Sequence, residues 1–301
     1  MSVDLPVRPK SELTEAELTE LTVARTAQEK KAGPGLAGKL WQSAWPKLLA
    51  VGIALALWQV VYLTGWKPAF VLPSPGSVLQ ELFDRAFRPG LFPGTTLWEQ
   101  LAKTMTRGVT GFALAIAIGT LLGVAVVQWR ALRLAIGSLL AGLQTMPSIA
   151  WFPLAILFFG LTETAILFVV ILGAAPSVAA GVITGIDEVP PPLLRAGKMI
   201  GANGLNRYRH IVLPAAMPAY LAGLKQGWAF SWRSLLAGEL LVPIGGASAL
   251  GSALSYSRST GNAVWLLALM IVILIVGMVM DAIFGIFTRR IREKRGLTGT
   301  I

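Results

Sequence analysis

The chain has 301 residues, 54% of them hydrophobic and 14% charged, with a formal net charge of +11. A soluble domain carries about 25% charged residues, and the absence of cysteine excludes disulfides and thiolate metal sites. Apolar runs long enough to cross a hydrocarbon core of about 30 Å as helices recur along the sequence. The basic residues lie mainly between those runs and at the chain ends. That placement excludes nucleic acid as the partner of the positive charge and points to an integral membrane protein.

In chain order, residues 1–45 read as a polar cytoplasmic tail, mobile or surface-lying. Within it Ser11–Lys31 has helical character but no sustained apolar stripe. No apolar core follows the first charges closely, so the tail does not read as a cleavable signal peptide. A first span is expected over Pro46–Leu63. The Pro-rich segment Phe70–Pro75 and a short amphipathic stretch, Val78–Phe87, follow; the stretch is too short to span and reads as interfacial. Further spans are expected over Leu97–Val127, Leu132–Phe159, Thr164–Ile186, Pro214–Leu241 and Asn262–Thr288. The third contains Pro147 and Pro153, each removing a backbone donor, and is expected to kink or, where it lines a cavity or is buried in protein, to break. Gly119 with Gly123, and Gly181 with Gly185, have the spacing of close helix packing. The transmembrane region thus covers residues 46–290, and residues 291–301 form a basic cytoplasmic tail.

Six spans put both termini on one side of the membrane. Eighteen of the 26 basic residues fall in the N-terminal stretch up to Lys47, the loop with Arg130 and Arg133, the polar segment 187–213, and the C-terminal stretch from Arg289. The opposite loops carry only Lys67, Arg85, Arg88 and Arg258. The positive-inside rule therefore expects a cytoplasmic-membrane protein with both termini and the polar segment in the cytoplasm.

That segment opens with Pro190-Pro191-Pro192, suited to a sharp helix start. It continues through Leu194-Arg195-Ala196-Gly197-Lys198-Met199-Ile200-Gly201-Ala202-Asn203 to Leu213-Pro214 and Pro218. It reads as a short helix parallel to the membrane, able to pass a push from a cytoplasmic partner to the spans. The pattern resembles the Glu-Ala-Ala loop of type I ABC importer permeases. Gly201-Ala202, Leu213-Pro214 and Pro218 keep the spacing, while Arg195-Ala196-Gly197 stands in place of Glu-Ala-Ala. Val71-Leu72-Pro73-Ser74-Pro75, Arg107 with Gly111-Phe112, and Met146-Pro147 through Trp151 to Gly160 are similar to the nitrate/sulfonate/taurine/bicarbonate branch. Where that branch has Leu-Arg-x-Ile-Pro, this chain has Leu143-Gln144-Thr145-Met146-Pro147.

The resemblance covers nearly all of residues 45–290. It implies an all-α MetI-like permease fold and a translocation path for a small anion such as a sulfonate, taurine, nitrate or bicarbonate. It implies four partners beyond the lipid: a second copy of the chain, two ATP-binding subunits and an extracytoplasmic substrate-binding protein. No cofactor is expected in this chain, with ATP and magnesium held by the ATPase subunit. Arg195, Ala196, Gly197, Gly201, Ala202, Leu213 and Pro214 would couple to that subunit, with Gly201-Ala202 marking a close approach or, alternatively, a helix end.

The residues themselves add to this. Gly33 to Lys39 matches the start of a phosphate-binding loop, but Leu40 stands where a Ser or Thr should hold magnesium and Pro34 interrupts it. ATP must then be hydrolysed by another chain, and no catalytic residue is expected here. His210 is the only histidine, which leaves no metal site and no intramembrane Ser-His pair. Ionised groups are costly at membrane depth, so Arg233 and Glu239 are candidates for the path, with Trp232, Pro147 and Trp151. Lys225 and Asp281 are expected to make an interhelical contact or to snorkel. An ion-coupled secondary transporter, which needs coupled carboxylates and usually inverted repeats, and a non-transporting scaffold are the alternatives.

Overall fold

A computed structural model describes residues 36–88, 96–242, 244 and 248–293. The chain divides into two units, Met1–Thr64 and Gly65–Ile301. In the first, helix α1 covers Leu36–Leu63. It begins ten residues before the expected span, so Pro46 falls inside the helix and not at its first turn. Its apolar stretch is Leu49–Leu63. The Ser11–Lys31 segment, Gly33–Gly35 of the loop-like run, and the last eight residues lie outside the described residues.

The second unit opens with α2, Pro75–Phe87, capped by Ser74, whose Oγ accepts the Ser77 backbone N–H at 3.2 Å. Val78 is fully buried, and the Arg85 guanidinium lies 4.2 Å from the Trp265 ring centroid. Leu79, Phe83 and Phe87, at helical spacing on another face, are exposed. The interfacial reading of this stretch thus has an amphipathic helix behind it.

Helix α3, Leu97–Gln128, starts in a capping box: Thr96 Oγ1 accepts the Glu99 N–H, and the Glu99 carboxylate accepts the Thr96 N–H. Helix α6, Glu163–Asp187, packs against α3 on one side and against α9, Leu213–Leu241, on the other. Small residues set these distances. A Cβ on Gly119 would lie 2.8 Å from Val178 Cβ, and one on Gly181 would lie 2.8 Å from Gly223 Cα. Without a hydrophobic drive between helices in lipid, such close backbone approach supplies the packing.

The third expected span is not a kinked helix. It is α4, Arg130–Thr145, then a 3₁₀ turn, Ser148–Trp151, then α5, Phe152–Phe159, with a bend of 106° between the parts. Pro147 caps the 3₁₀ turn, and Pro153 occupies the first turn of α5, where its missing N–H has no helical partner to lose. The two prolines therefore delimit two helices. Phe152 and Ala155 anchor α5 by burial.

Helices α7, Pro191–Met199, and α8, Gly204–Arg207, follow α6, and a π-helical turn, Tyr208–Val212, leads into α9. Helix α10, Leu250–Ser259, and α11, Ala263–Glu293, complete the unit. Helices α3, α6 and α11 are each long and apolar enough to span a membrane, and the bent α4–α5 pair makes a fourth if counted as one. Helix α9 has 29 residues and is interrupted by Lys225, Arg233 and Glu239. With α1, this is an all-α polytopic arrangement of about six spans.

Candidate translocation path and coupling segment

The polar segment forms the expected short helix, α7, at the end of the bundle where α6 ends and α9 begins. Pro190 caps it and Pro191 opens it. It ends in a Schellman motif: the Ala202 N–H donates to Gly197 O at 2.9 Å and the Gly201 N–H to Lys198 O at 3.1 Å. Gly201 has φ +80°, and a Cβ there would meet nothing within 4 Å. Its conformation, not a close neighbour within the chain, requires the glycine, which makes it a helix end.

The tight position is Gly197, which is buried, and a Cβ there would collide with Ile211 Cδ1. Gly197 thus lets α7 lie against the π-helical turn. Arg195 and Ala196 are exposed, Ala202 and Pro214 are partly buried, and Leu213 is exposed. Beyond them Met199, Ile200 and Leu205 stand 83%, 82% and 83% exposed. Sequence reading passed over these three because apolar residues in a membrane protein draw no attention. His210 is exposed, with Nδ1 3.1 Å from Asn206 O.

Helix α9 carries the second cluster. Ala222, Lys225, Gln226, Ala229 and Arg233 recur at spacings of three and four, and all are exposed. They share one face of a helix expected at membrane depth. A cavity of about 500 Å³ opens there, lined by Lys225, Trp228, Trp232, Arg233 and Asp281. Lys225 Nζ meets Asp281 Oδ1 of α11 at 2.8 Å, the interhelical contact expected for that pair. Arg233 has no carboxylate partner among the described residues: its Nε donates to Ala229 O and its guanidinium lies 4.8 Å from the Phe230 ring centroid. Trp232 is buried and stacks on Trp228. Pro147 is exposed and Trp151 partly buried in the 3₁₀ turn.

Glu239 does not belong with that cluster. Its side chain is fully buried within the single chain. Oε2 accepts from Thr104 Oγ1 at 2.9 Å and from the Gly251 N–H at 3.0 Å, and Oε1 faces Arg107 Nη1 at 3.3 Å. Arg107 Nη2 donates to Glu163 Oε1 at 2.6 Å. Thr104 Oγ1 also accepts the Leu250 N–H at 2.9 Å. The carboxylate therefore ties α3, α6, α9 and α10 together at the end of the bundle opposite α7. The expected place of Glu239 on the path gives way to a structural one, because every lone pair aimed at a partner here is inside protein. Its partner Arg107 had been read only as a family signature, since the two lie 132 residues apart.

A family model described as the binding-protein-dependent transport system inner membrane component matches residues 111–293. The taurine transport system permease protein TauC of Escherichia coli is 29% identical over 205 residues, 67% of this chain and 74% of that protein. The nitrate import permease protein NrtB of Leptolyngbya laminosa is 25% identical over 283 residues, 92% and 97% of the two chains. A chain of the MetNI methionine ABC transporter in an inward-facing conformation superposes with a TM-score of 0.51 at 23% identity, covering 64% of this chain and 93% of its own. That likeness concerns the fold. Together with the match over α3 to α11, these findings place the chain among the binding-protein-dependent transport system inner membrane components, the permease subunits of ABC importers, whose ATP is hydrolysed by a separate subunit.

Proposed function

We propose that two copies of this chain face one another across the exposed face of α9 and enclose a path for a small anionic solute. We further propose that α7 docks on the ATP-binding subunit and that both termini lie in the cytoplasm. One observation carries the reading: Lys225, Gln226 and Arg233 lie on one exposed face of α9, a helix that the sequence expects to span. Against lipid, charged groups cost on the order of 2.5–3.5 kcal/mol each at a helix centre. Against a water-filled path they do not. One copy leaves that face open, so a second copy is needed to close it.

The chain has no cysteine, so Ala229→Cys gives a single reporter. In native membranes a short bis-maleimide should link two Ala229→Cys chains into a covalent dimer. Monomer alone at complete labelling counts against the paired arrangement.

Arg233 supports an anion as the solute, since it is the cation on this face without a carboxylate partner among the described contacts. The names of the relatives, taurine and nitrate permeases, support the same class. Arg233→Gln should lower anion uptake by roughly tenfold, the loss of a charged hydrogen bond of about 1.5 kcal/mol, and leave co-purification of the ATPase subunit unchanged. Uptake equal to wild type excludes Arg233 from the path.

A further inference from the structure

A second opening adjoins the face of α9 and shares Ala222 and Gln226 with the first. It has a volume of about 420 Å³ and lies between the end of α4, the C-terminal half of α6 and the first half of α9. Its polar lining is Gln144, Ser177, Thr184, Gln226 and Glu188. We propose that this groove is a solute-contact site that holds a singly charged oxyanion through the uncharged donors Gln144, Ser177, Thr184 and Gln226. The proposal rests on the path reading above and names where on that path the solute is recognised.

The groove exists because its floor is small. Gly181 and Gly223 meet backbone to backbone, each leaving no room for a Cβ, and Ala180, Ala219 and Ala222 add little bulk. The volume left is in the range of small-molecule sites. Two amides and two hydroxyls beside an opening at membrane depth would be poorly satisfied by lipid. Their present bonds are weak ones. Ser177 Oγ donates to Gln144 Oε1 at 3.4 Å, and Gln144 Nε2 donates to Leu140 O at 3.3 Å. Both lie at the long end of the hydrogen-bond range, so exchanging them for a solute oxygen loses little.

The chemistry of the lining sets the class. Amide and hydroxyl hydrogens donate to oxyanion oxygens without a fixed positive charge. The one ionised lining group is Glu188, an acid, just past the C-terminal end of α6. Lys225 and Arg233 open to the neighbouring cavity. A dianion would meet no compensating cation here and would be repelled by Glu188. A monoanion meets the same four donors against about half of that repulsion, and binding stays weak enough for release, as conduction along a path requires. Gln144 stands where the resembling branch has an arginine, which is why the groove is neutral on that side.

The reporter is Ala180→Cys, partly exposed in the groove and not one of its donors, in the assembled complex in native membranes. The probe is a sulfonate-bearing methanethiosulfonate reagent. Labelling of Ala180→Cys is expected, with protection by ethanesulfonate or nitrate and far less by sulfate. Adding Gln144→Leu or Gln226→Leu should raise the protecting concentration about fivefold, the loss of one hydrogen bond. Co-purification of the ATPase subunit controls for assembly. Labelling without protection, equal protection by sulfate, or protection indifferent to both leucine variants overturns the oxyanion site while leaving the path reading standing. No labelling of Ala180→Cys, together with no cross-linking of Ala229→Cys, overturns both.

Discussion

Arg107→Ala should lower the stability of the folded permease by about 3–5 kcal/mol, the usual effect of breaking a buried ion pair from one side. Removing the guanidinium leaves the Glu239 carboxylate, inaccessible to solvent, with only Thr104 and Gly251 as donors. Glu163 loses its partner as well, but half of its side chain is exposed and it stands at the first turn of α6, where the helix dipole favours a carboxylate. Most of the loss therefore comes from Glu239. Glu239→Gln keeps an oxygen for the Gly251 N–H and removes the stranded charge, so its effect should be smaller. The pair Arg107→Met with Glu239→Leu should be less destabilising than Arg107→Ala, since no buried charge remains. Thermal unfolding in detergent measures all three. A wild-type melting temperature for Arg107→Ala, or additive losses in the double variant, would contradict the network described.

Replacing both Met199 and Leu205 with Asp should weaken recovery of the ATPase subunit with this chain by roughly 100-fold or more, the loss expected for central apolar contacts in an interface. These side chains, with Ile200, project from α7, the turn after it and α8, and no described residue covers them. The segment is expected in the cytoplasm, where lipid cannot cover them either. The spans are untouched, so insertion and membrane levels should match wild type. Quantitative pull-down of the ATPase subunit from solubilised membranes reads the effect. Recovery equal to wild type would mean that the subunit docks elsewhere. Gly201, by contrast, serves the chain's own geometry, because φ +80° is reached at low cost by glycine and not by alanine.

Much of the architecture was legible because it depends on near neighbours in sequence. Apolar length marks a span whatever surrounds it, and the second, fourth, fifth and sixth boundaries were read to within a few residues. The prolines before α7 and the glycines at Gly119, Gly123, Gly181 and Gly185 announce a helix start and close packing through local rules alone. The 106° break after Thr145 was not legible, since Met146-Pro147 allows either a kink or two helices. Burial of Phe152 and Ala155 selects the second.

By itself, then, the sequence determined an all-α membrane protein, the position of the short polar helix between its fourth and fifth spans, and its family. These follow from hydrocarbon thickness, charge asymmetry and motif spacing, all of which are one-dimensional. Only the tertiary structure decided what each intramembrane polar group does. Arg233 and Glu239 lie six residues apart on one helix and look alike in sequence. Six residues at 3.6 per turn set them about 120° apart around the helix axis: Arg233 turns to an open face, while Glu239 turns inward to Arg107, Thr104 and the Gly251 N–H. Gln144, Ser177, Thr184 and Gln226 are unremarked in sequence and come together because Gly181 and Gly223 let α6 and α9 touch. Which groups meet across helices is a three-dimensional fact, and it separates the residues that hold the bundle from those that face its openings.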